Sequence, residues 1–234
     1  MKVLIIIPVY NESKNILKVI SELKKENSNY DILIVNDAST DNTLEVLEGQ
    51  DVSIINNTFN MGYAHSIQLG IKYAYKKNYD YGVLFDGDNQ HIASYVKDLL
   101  NEAIKTKADI VIGSRYLNKG YKQYFFRLLG TKLFSILIKL FCHQKIADPL
   151  SGMQCLNKKA MNYYSTMENF PNYVDANLII DLLLKNYKIK EVPVKMRQRE
   201  SGISMHSGIL KPIRYMFSML YIIVITILLN IRKD

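Results

Sequence analysis

The chain has 234 residues, 48% hydrophobic and 22% charged, enough for one large domain, or a domain with an appendage, around a real core. Its two cysteines, Cys142 and Cys155, have no CxxC spacing and read as reduced thiols in a cytosolic setting. The net charge of +8 is unevenly spread: residues 1–100 hold 9 Lys and no Arg against 13 Asp and Glu, a balance of −4 that leaves +12 for the remainder. An acidic first half and a basic second half point to an anion at the second, either nucleic acid or membrane phosphate.

Val3 to Ile7 is a continuous branched run, the pattern of a strand buried on both faces, and is too short for a signal peptide. Pro8 ends it. Ile16, Leu17, Ile20 and Leu23 then recur at helical spacing after the cap residues Asn11, Glu12 and Ser13. A second strand, Ile32 to Val35, opens onto the turn-forming residues 36–43, with a helix starting at Leu44. A third strand covers Val52 to Ile55. The turn Asn60-Met61-Gly62 leads into a helix carrying Ile67, Ile71 and Ala74. Strand Gly82 to Phe85, a helix around Tyr95 to Ile104, and strand Asp109 to Gly113 follow. Alternation at this density predicts an α/β protein with a mostly parallel sheet and helices on both faces. Ligands of such sheets bind beyond the carboxyl ends of the strands. Four polar clusters fall there: Tyr10-Asn11-Glu12, Asp37, Asp86 to Gln90, and Ser114-Arg115.

The chain is organised around Asp86-Gly87-Asp88-Asn89-Gln90. If the strand continued extended, Asp86 and Asp88 would share a face, with Gly87 allowing a turn and Gln90 returning to the same side. Two carboxylates and an amide oxygen suit a hard cation, Mg²⁺ or Mn²⁺, with diphosphate oxygens completing its shell. His91 could support this group or simply cap the turn. The four histidines form no metal-ligand spacing.

The second half reads as membrane-seeking. Over 124–142, Arg127, Thr131, Ser135 and Lys139 form one stripe at i, i+4 steps on an otherwise apolar helix, as in a helix lying in a bilayer interface or wedged between protein and lipid. Tyr215 to Leu229 is almost wholly apolar between basic flanks. At about 15 residues it is short of the ~20 that span a bilayer, so a monotopic anchor is expected. There is no aromatic–basic interleaving of the single-strand nucleic-acid type, so no nucleic-acid partner is expected. No GxGxxG follows the first strand, which argues against a dinucleotide-dependent oxidoreductase.

Pro8-Val9-Tyr10-Asn11-Glu12, Asn36-Asp37-Ala38-Ser39-Thr40-Asp41, Asn60-Met61-Gly62 and Asp86-Gly87-Asp88-Asn89-Gln90-His91, in this order and spacing, resemble the family 2 glycosyltransferases of the GT-A fold. Gly113-Ser114-Arg115-Tyr116, Arg127 with Thr131, Asp148-Pro149-Leu150-Ser151-Gly152, Glu191-Val192-Pro193 and Arg199 to Ser204 are similar to the dolichol-phosphate mannose synthase branch. The resemblance covers about residues 3–205. It implies a Rossmann-like GT-A domain over 1–205, with a nucleotide-sugar half (1–115) and an acceptor half (116–205), followed by an anchoring helix over 206–234. It implies that Pro8, Tyr10 and Glu12 line the base and ribose pocket and that Asp37 accepts a hydrogen bond from the base. Asp86, Asp88 and Gln90 would hold the metal, and Arg199 and Ser204 would close over the donor. Arg115, Arg127 and Thr131 would bind the acceptor phosphate, with Asp88, Arg115 and Arg127 as the catalytic set. The implied reaction is inverting, metal-dependent transfer of a sugar from a UDP- or GDP-sugar to a polyprenyl phosphate at the cytoplasmic face of the membrane. A small integral membrane protein or a second copy of the chain are implied partners. Three departures stand out: Asn36 where the family usually has Asp, Ala38 where it often has Gly, and Asp175-Ala176-Asn177 where many members place a Glu. The last leaves open a hydroxyl acceptor, with Asp148 or Asp175 as base.

Overall fold

The computed structural model describes residues 1–118, 125–198 and 210–231, with 125–127, 210–213 and 231 described by backbone alone. Seven strands, β1 (Val3–Val9), β2 (Asp31–Asn36), β3 (Ser53–Asn56), β4 (Tyr81–Leu84), β5 (Ile110–Ser114), β6 (Gln154–Asn157) and β7 (Ile189–Pro193), form one sheet in the order β3-β2-β1-β4-β6-β5-β7. Every pairing is parallel except those of β6, which runs antiparallel between β4 and β5. The expected mostly parallel sheet is present. The antiparallel β6, the neighbouring helices and β7 lie beyond the elements read from the sequence.

β1 is buried along its whole length, and its residues alternate between two cores. Val3, Ile5, Ile7 and Val9 face the helices α1 (Ile16–Glu26), α2 (Thr43–Leu47) and α4 (Tyr95–Thr106). Leu4 and Ile6 face α3 (Tyr63–Lys76), α5 (Phe125–Cys142), α6 (Lys158–Thr166), α7 (Ala176–Leu184) and α8 (Leu210–Ile231). This period-2 division explains the continuous apolar run, since a strand covered on both sides needs no polar face. In α1 the inward stripe is Ile16, Val19, Ile20 and Leu23, whereas Leu17, expected on it, is exposed.

Both apolar helices of the second half pack on the domain. α8 is fastened to it by core and polar contacts. Met219, Ile223 and Ile227 belong to the core, Tyr215 donates to Asp175 Oδ2 at 2.6 Å, and Asn230 bridges Asp181 and Lys185. Among the described residues no helix is long and apolar enough to cross a membrane. The middle of the polar stripe of α5 faces the protein, with Thr131 buried against the Tyr116 hydroxyl and Ser135 donating to the Ile146 carbonyl, while Lys139 is exposed. The large apolar residues exposed on α5 are Leu129, Ile136, Leu140 and Phe141, beside Lys132 and Lys139, joined on α8 by Phe217, Tyr221, Val224, Ile225, Leu228 and Leu229.

The turn after β2 carries a small strain. Ala38 sits at φ 58, in the left-handed region that disfavours a Cβ. Its neighbour Asn36 holds the turn, accepting from Ser39 and donating to Asn56 Oδ1 at 2.6 Å. Ala38→Gly is expected to raise stability by about 0.5–1 kcal/mol, the relieved strain exceeding the extra chain entropy of glycine. Urea denaturation measures it, and a loss of stability would contradict the strain.

Candidate functional site

The polar clusters converge at the carboxyl edge of the sheet, on either side of the point where the strand order reverses about β1. Pro8 is buried in β1, and beyond it Tyr10 is 48% exposed. Asn11, at φ 56, stitches the β1 loop to the β2 loop. Its N–H donates to Ser39 Oγ, and its Oδ1 accepts from Thr40 N at 2.8 Å. Glu12 accepts from Asn15 Nδ2, and its own N–H meets Thr43 Oγ1 at 3.0 Å.

Asp37 is 4% exposed and takes three donors from the chain itself: Asn57 Nδ2 (2.8 Å), Met61 N (2.9 Å) and Gly62 N (2.8 Å). Its expected partner was a nucleotide base. In this structure its carboxylate holds the 57–62 loop at the N-terminus of α3.

β4 stops at Leu84, so Asp86 and Asp88 lie in the turn beyond it, not on an extended strand. The alternation expected to align them does not operate. Gly87 is required for close packing: a Cβ there would stand 2.9 Å from Val9 Cγ1. Asp88 Oδ1 accepts from Gln90 N at 3.0 Å, closing the turn with Asn89 at φ 64. Gln90 exchanges contacts with Arg197, whose N–H donates to the Gln90 carbonyl at 2.9 Å while Gln90 Nε2 donates to the Arg197 carbonyl at 3.3 Å.

Asp86 is held from three sides. The Tyr63 hydroxyl donates to Oδ1 at 2.9 Å, His91 Nε2 lies 3.3 Å from Oδ2, and the backbone of Gly152 closes over the carboxylate. Burial, then the nearby Asp86, pushes the Tyr63 phenol well above its ordinary range, with Asp175 and Asp88 adding to the effect. Three carboxylates therefore act on one phenol, which stays a donor at neutral pH. A Cβ on Gly152 would lie 3.2 Å from the Tyr63 hydroxyl and 3.3 Å from Asp86 Oδ2. The missing side chain is thus a space against the carboxylate. The Asp86 carboxylate against this position, with Asp88 near enough to act on the same Tyr63 phenol, fits a hard divalent cation that takes its remaining oxygens from a ligand.

Arg115 has a carboxylate partner within the chain. It is 6% exposed and Asp148 is fully buried. Nε and Nη2 each donate to Asp148 at 2.7 Å, the Arg115 N–H donates to the same carboxylate at 2.9 Å, and Nη2 reaches the Leu150 carbonyl at 3.1 Å. The fork expected to meet an acceptor phosphate is engaged by a carboxylate 33 residues away. The same contact removes Asp148 as a candidate base. Glu191 supports this loop from β7, accepting from Ala147 N and Asp148 N at 2.7 and 2.8 Å; burial pushes its carboxyl up despite those two donors. Asp175, half-buried at the start of α7, accepts from Tyr215. The Arg127 side chain, Arg199 and Ser204 lie outside the described residues; the Arg127 backbone falls in α5, one turn before Thr131. Tyr63, Gly152 and Glu191 went unread as site residues, because the contacts that give them roles are long-range. The motif Ser151-Gly152 was the available signal.

The Glycosyl transferase family 2 profile matches residues 4–164. The chain belongs to that family. Among family 2 relatives, the undecaprenyl-phosphate mannosyltransferase of Micrococcus luteus is 34% identical over 217 residues, covering 89% of this chain and 88% of its own. The dolichol-phosphate mannosyltransferase of Pyrococcus furiosus is 32% identical over 221 residues, and the match covers 89% of this chain but 60% of that longer protein. The glucosyl-3-phosphoglycerate synthase of Mycobacterium tuberculosis superposes with a TM-score of 0.71 at 16% identity, over 98% of this chain and 79% of that one, which establishes the GT-A fold. The same enzyme has been crystallised with Mn²⁺ and UDP-glucose.

Proposed function

We propose that this family 2 glycosyltransferase transfers a sugar, with inversion, from a UDP- or GDP-sugar to the phosphate of a polyprenyl phosphate at the cytoplasmic face of a membrane. The observation that carries the reading is a carboxylate pair at the sheet's carboxyl edge in a molecule whose α5 and α8 each leave several large apolar side chains exposed. The substrates of the Micrococcus and Pyrococcus relatives, as named, support the choice of acceptor.

Tyr10 and Glu12 border the base and ribose, with Asp37 fixing the loop beside them. Asp86, Asp88 and Gln90 would hold Mg²⁺ or Mn²⁺, which when bound neutralises the charge developing on the departing diphosphate. An oxygen of the acceptor phosphate attacks the anomeric carbon as the bond from that carbon to the diphosphate breaks, and the electron pair leaves with the nucleoside diphosphate. A phosphate monoester is largely ionised at pH 7, so positioning takes the place of a general base. Arg127 and Thr131 supply the acceptor side, with Arg199 and Ser204 on the donor diphosphate. The exposed apolar residues of α5 and α8 face the bilayer, as monotopic helices do.

The reading is tested by incubating the protein with radiolabelled UDP- and GDP-sugars and undecaprenyl phosphate. Label is expected in the organic phase, and Arg127→Ala is expected to reduce it about ten-fold to a hundred-fold in kcat/KM, the worth of a charge-assisted contact. Transfer to a hydroxyl instead, abolished by Asp175→Ala and indifferent to Arg127→Ala, would replace this reading with the hydroxyl acceptor. Because α8 is part of the core, bilayer contact is tested by substituting Phe217, Tyr221 and Leu228 with serine rather than by truncation. The variant is expected to leave floated anionic liposomes. A wild-type protein that never floats would remove the membrane from the reading.

A further inference from the structure

We propose that Tyr63 and His91 are positioning residues that clamp the Asp86 carboxylate in one orientation for the divalent cation, an inference that rests on Asp86 being a metal ligand. The contacts close on themselves. The Asp86 backbone N–H donates to His91 Nδ1 at 3.0 Å. A ring nitrogen that accepts has no proton, so the imidazole proton sits on Nε2. That nitrogen lies 3.3 Å from Asp86 Oδ2. The main chain of Asp86 thus selects the tautomer whose N–H stands beside the side chain of Asp86.

His91 cannot swing away from this task. It is 2% exposed and stands edge-on to Phe85 with ring centroids 5.1 Å apart and an interplanar angle of 81°. The Tyr63 hydroxyl takes the other carboxylate oxygen at 2.9 Å. Tyr63 comes from the first turn of α3, whose entry loop is itself held by Asp37 through Met61 N and Gly62 N. A donor on Oδ1 and a buried imidazole edge against Oδ2 restrict the rotation of the carboxylate about its terminal bond while leaving lone pairs on both oxygens. Donors of this kind orient a metal ligand, and their loss typically weakens affinity or activity about ten-fold to a hundred-fold. The space left by Gly152 lies on the same carboxylate. The two sides of the site are thereby joined, since a fixed rotamer of Asp86 needs α3, the turn after β4 and the loop before β6 together.

The experiment measures Mn²⁺ affinity by electron paramagnetic resonance in the presence of UDP or GDP, whichever binds. Tyr63→Phe removes one hydroxyl from a partly buried ring and is expected to weaken Mn²⁺ about ten-fold. Nucleotide affinity in EDTA should be unchanged. His91→Gln should weaken Mn²⁺ in the same direction. A purely structural role is separated by a double-mutant cycle: in an Asp86→Asn background, Tyr63→Phe should cost no further Mn²⁺ affinity. Equal Mn²⁺ affinity in wild type, Tyr63→Phe and His91→Gln overturns the clamp while the metal reading stands. Undiminished additivity in the Asp86→Asn background also overturns it. A wild-type protein that binds nucleotide but no Mn²⁺ overturns the metal reading, and the clamp with it.

Discussion

Asp148→Ala is expected to destabilise the protein by about 3–5 kcal/mol, the cost of leaving a buried charge without its partner. Arg115 is 6% exposed and gives Asp148 two side-chain donors at 2.7 Å and a backbone donor at 2.9 Å. Removing the carboxylate strands a guanidinium in the protein interior. For a chain of this length each kcal/mol moves the melting temperature by about 2–4 °C, so a fall of roughly 10 °C should be visible by calorimetry. Arg115→Ala should be comparably damaging, because it strands Asp148, which is fully buried. The double replacement by apolar residues, Arg115→Met with Asp148→Leu, should cost much less than the two single losses together, since it removes both charges. A loss under about 1 kcal/mol for Asp148→Ala would show that the pair is more hydrated than the structure places it. The result also decides how kinetics at Arg115 are read: a weakened acceptor phenotype there would carry a folding defect with it.

The second large effect is on turnover. Asp88→Asn is expected to lower kcat/KM by about a hundred-fold or more, on the order of 3 kcal/mol of transition-state stabilisation withdrawn from the departing diphosphate. The fold should survive, because the substitution keeps the side chain's shape and an asparagine oxygen can accept the bond that Gln90 N donates to Oδ1 at 3.0 Å in the same way. The melting temperature should move little, in contrast to Asp148→Ala. EDTA should abolish activity in the wild type, and Mg²⁺ or Mn²⁺ should restore it. Full activity in EDTA would end the proposal that Asp86 and Asp88 serve a cation.

The site was legible in proportion to how local its parts are. The turn after β4, with both carboxylates, Gln90 and His91 in six consecutive residues, stood in the sequence as a unit. So did the cap residues after β1 and β2, which the structure ties together through Asn11, Ser39 and Thr40. Partners far apart in the chain were not legible. Tyr63 reaches Asp86 across 23 residues and Arg115 reaches Asp148 across 33. Arg115 looked like an open phosphate fork because nothing near it in sequence neutralises it.

By itself the sequence determined the strand–helix alternation, the buried first strand and the placing of the polar clusters at strand ends. These follow from hydrophobic periodicity and turn residues, which act within a few residues. Membership of glycosyl transferase family 2 was likewise legible, in the order of four short motifs. Only the tertiary structure decided that the antiparallel β6 inserts between β4 and β5, because a four-residue strand has too little pattern to declare a neighbour or a direction. It also decided which side of α5 faces inward. The helix has a polar stripe and a broad apolar surface, and either could have met the protein. The partners waiting inside, the Ile146 carbonyl for Ser135 and the Tyr116 hydroxyl for Thr131, draw these two residues inward, because a buried polar group without a partner costs more than an apolar side chain left outside.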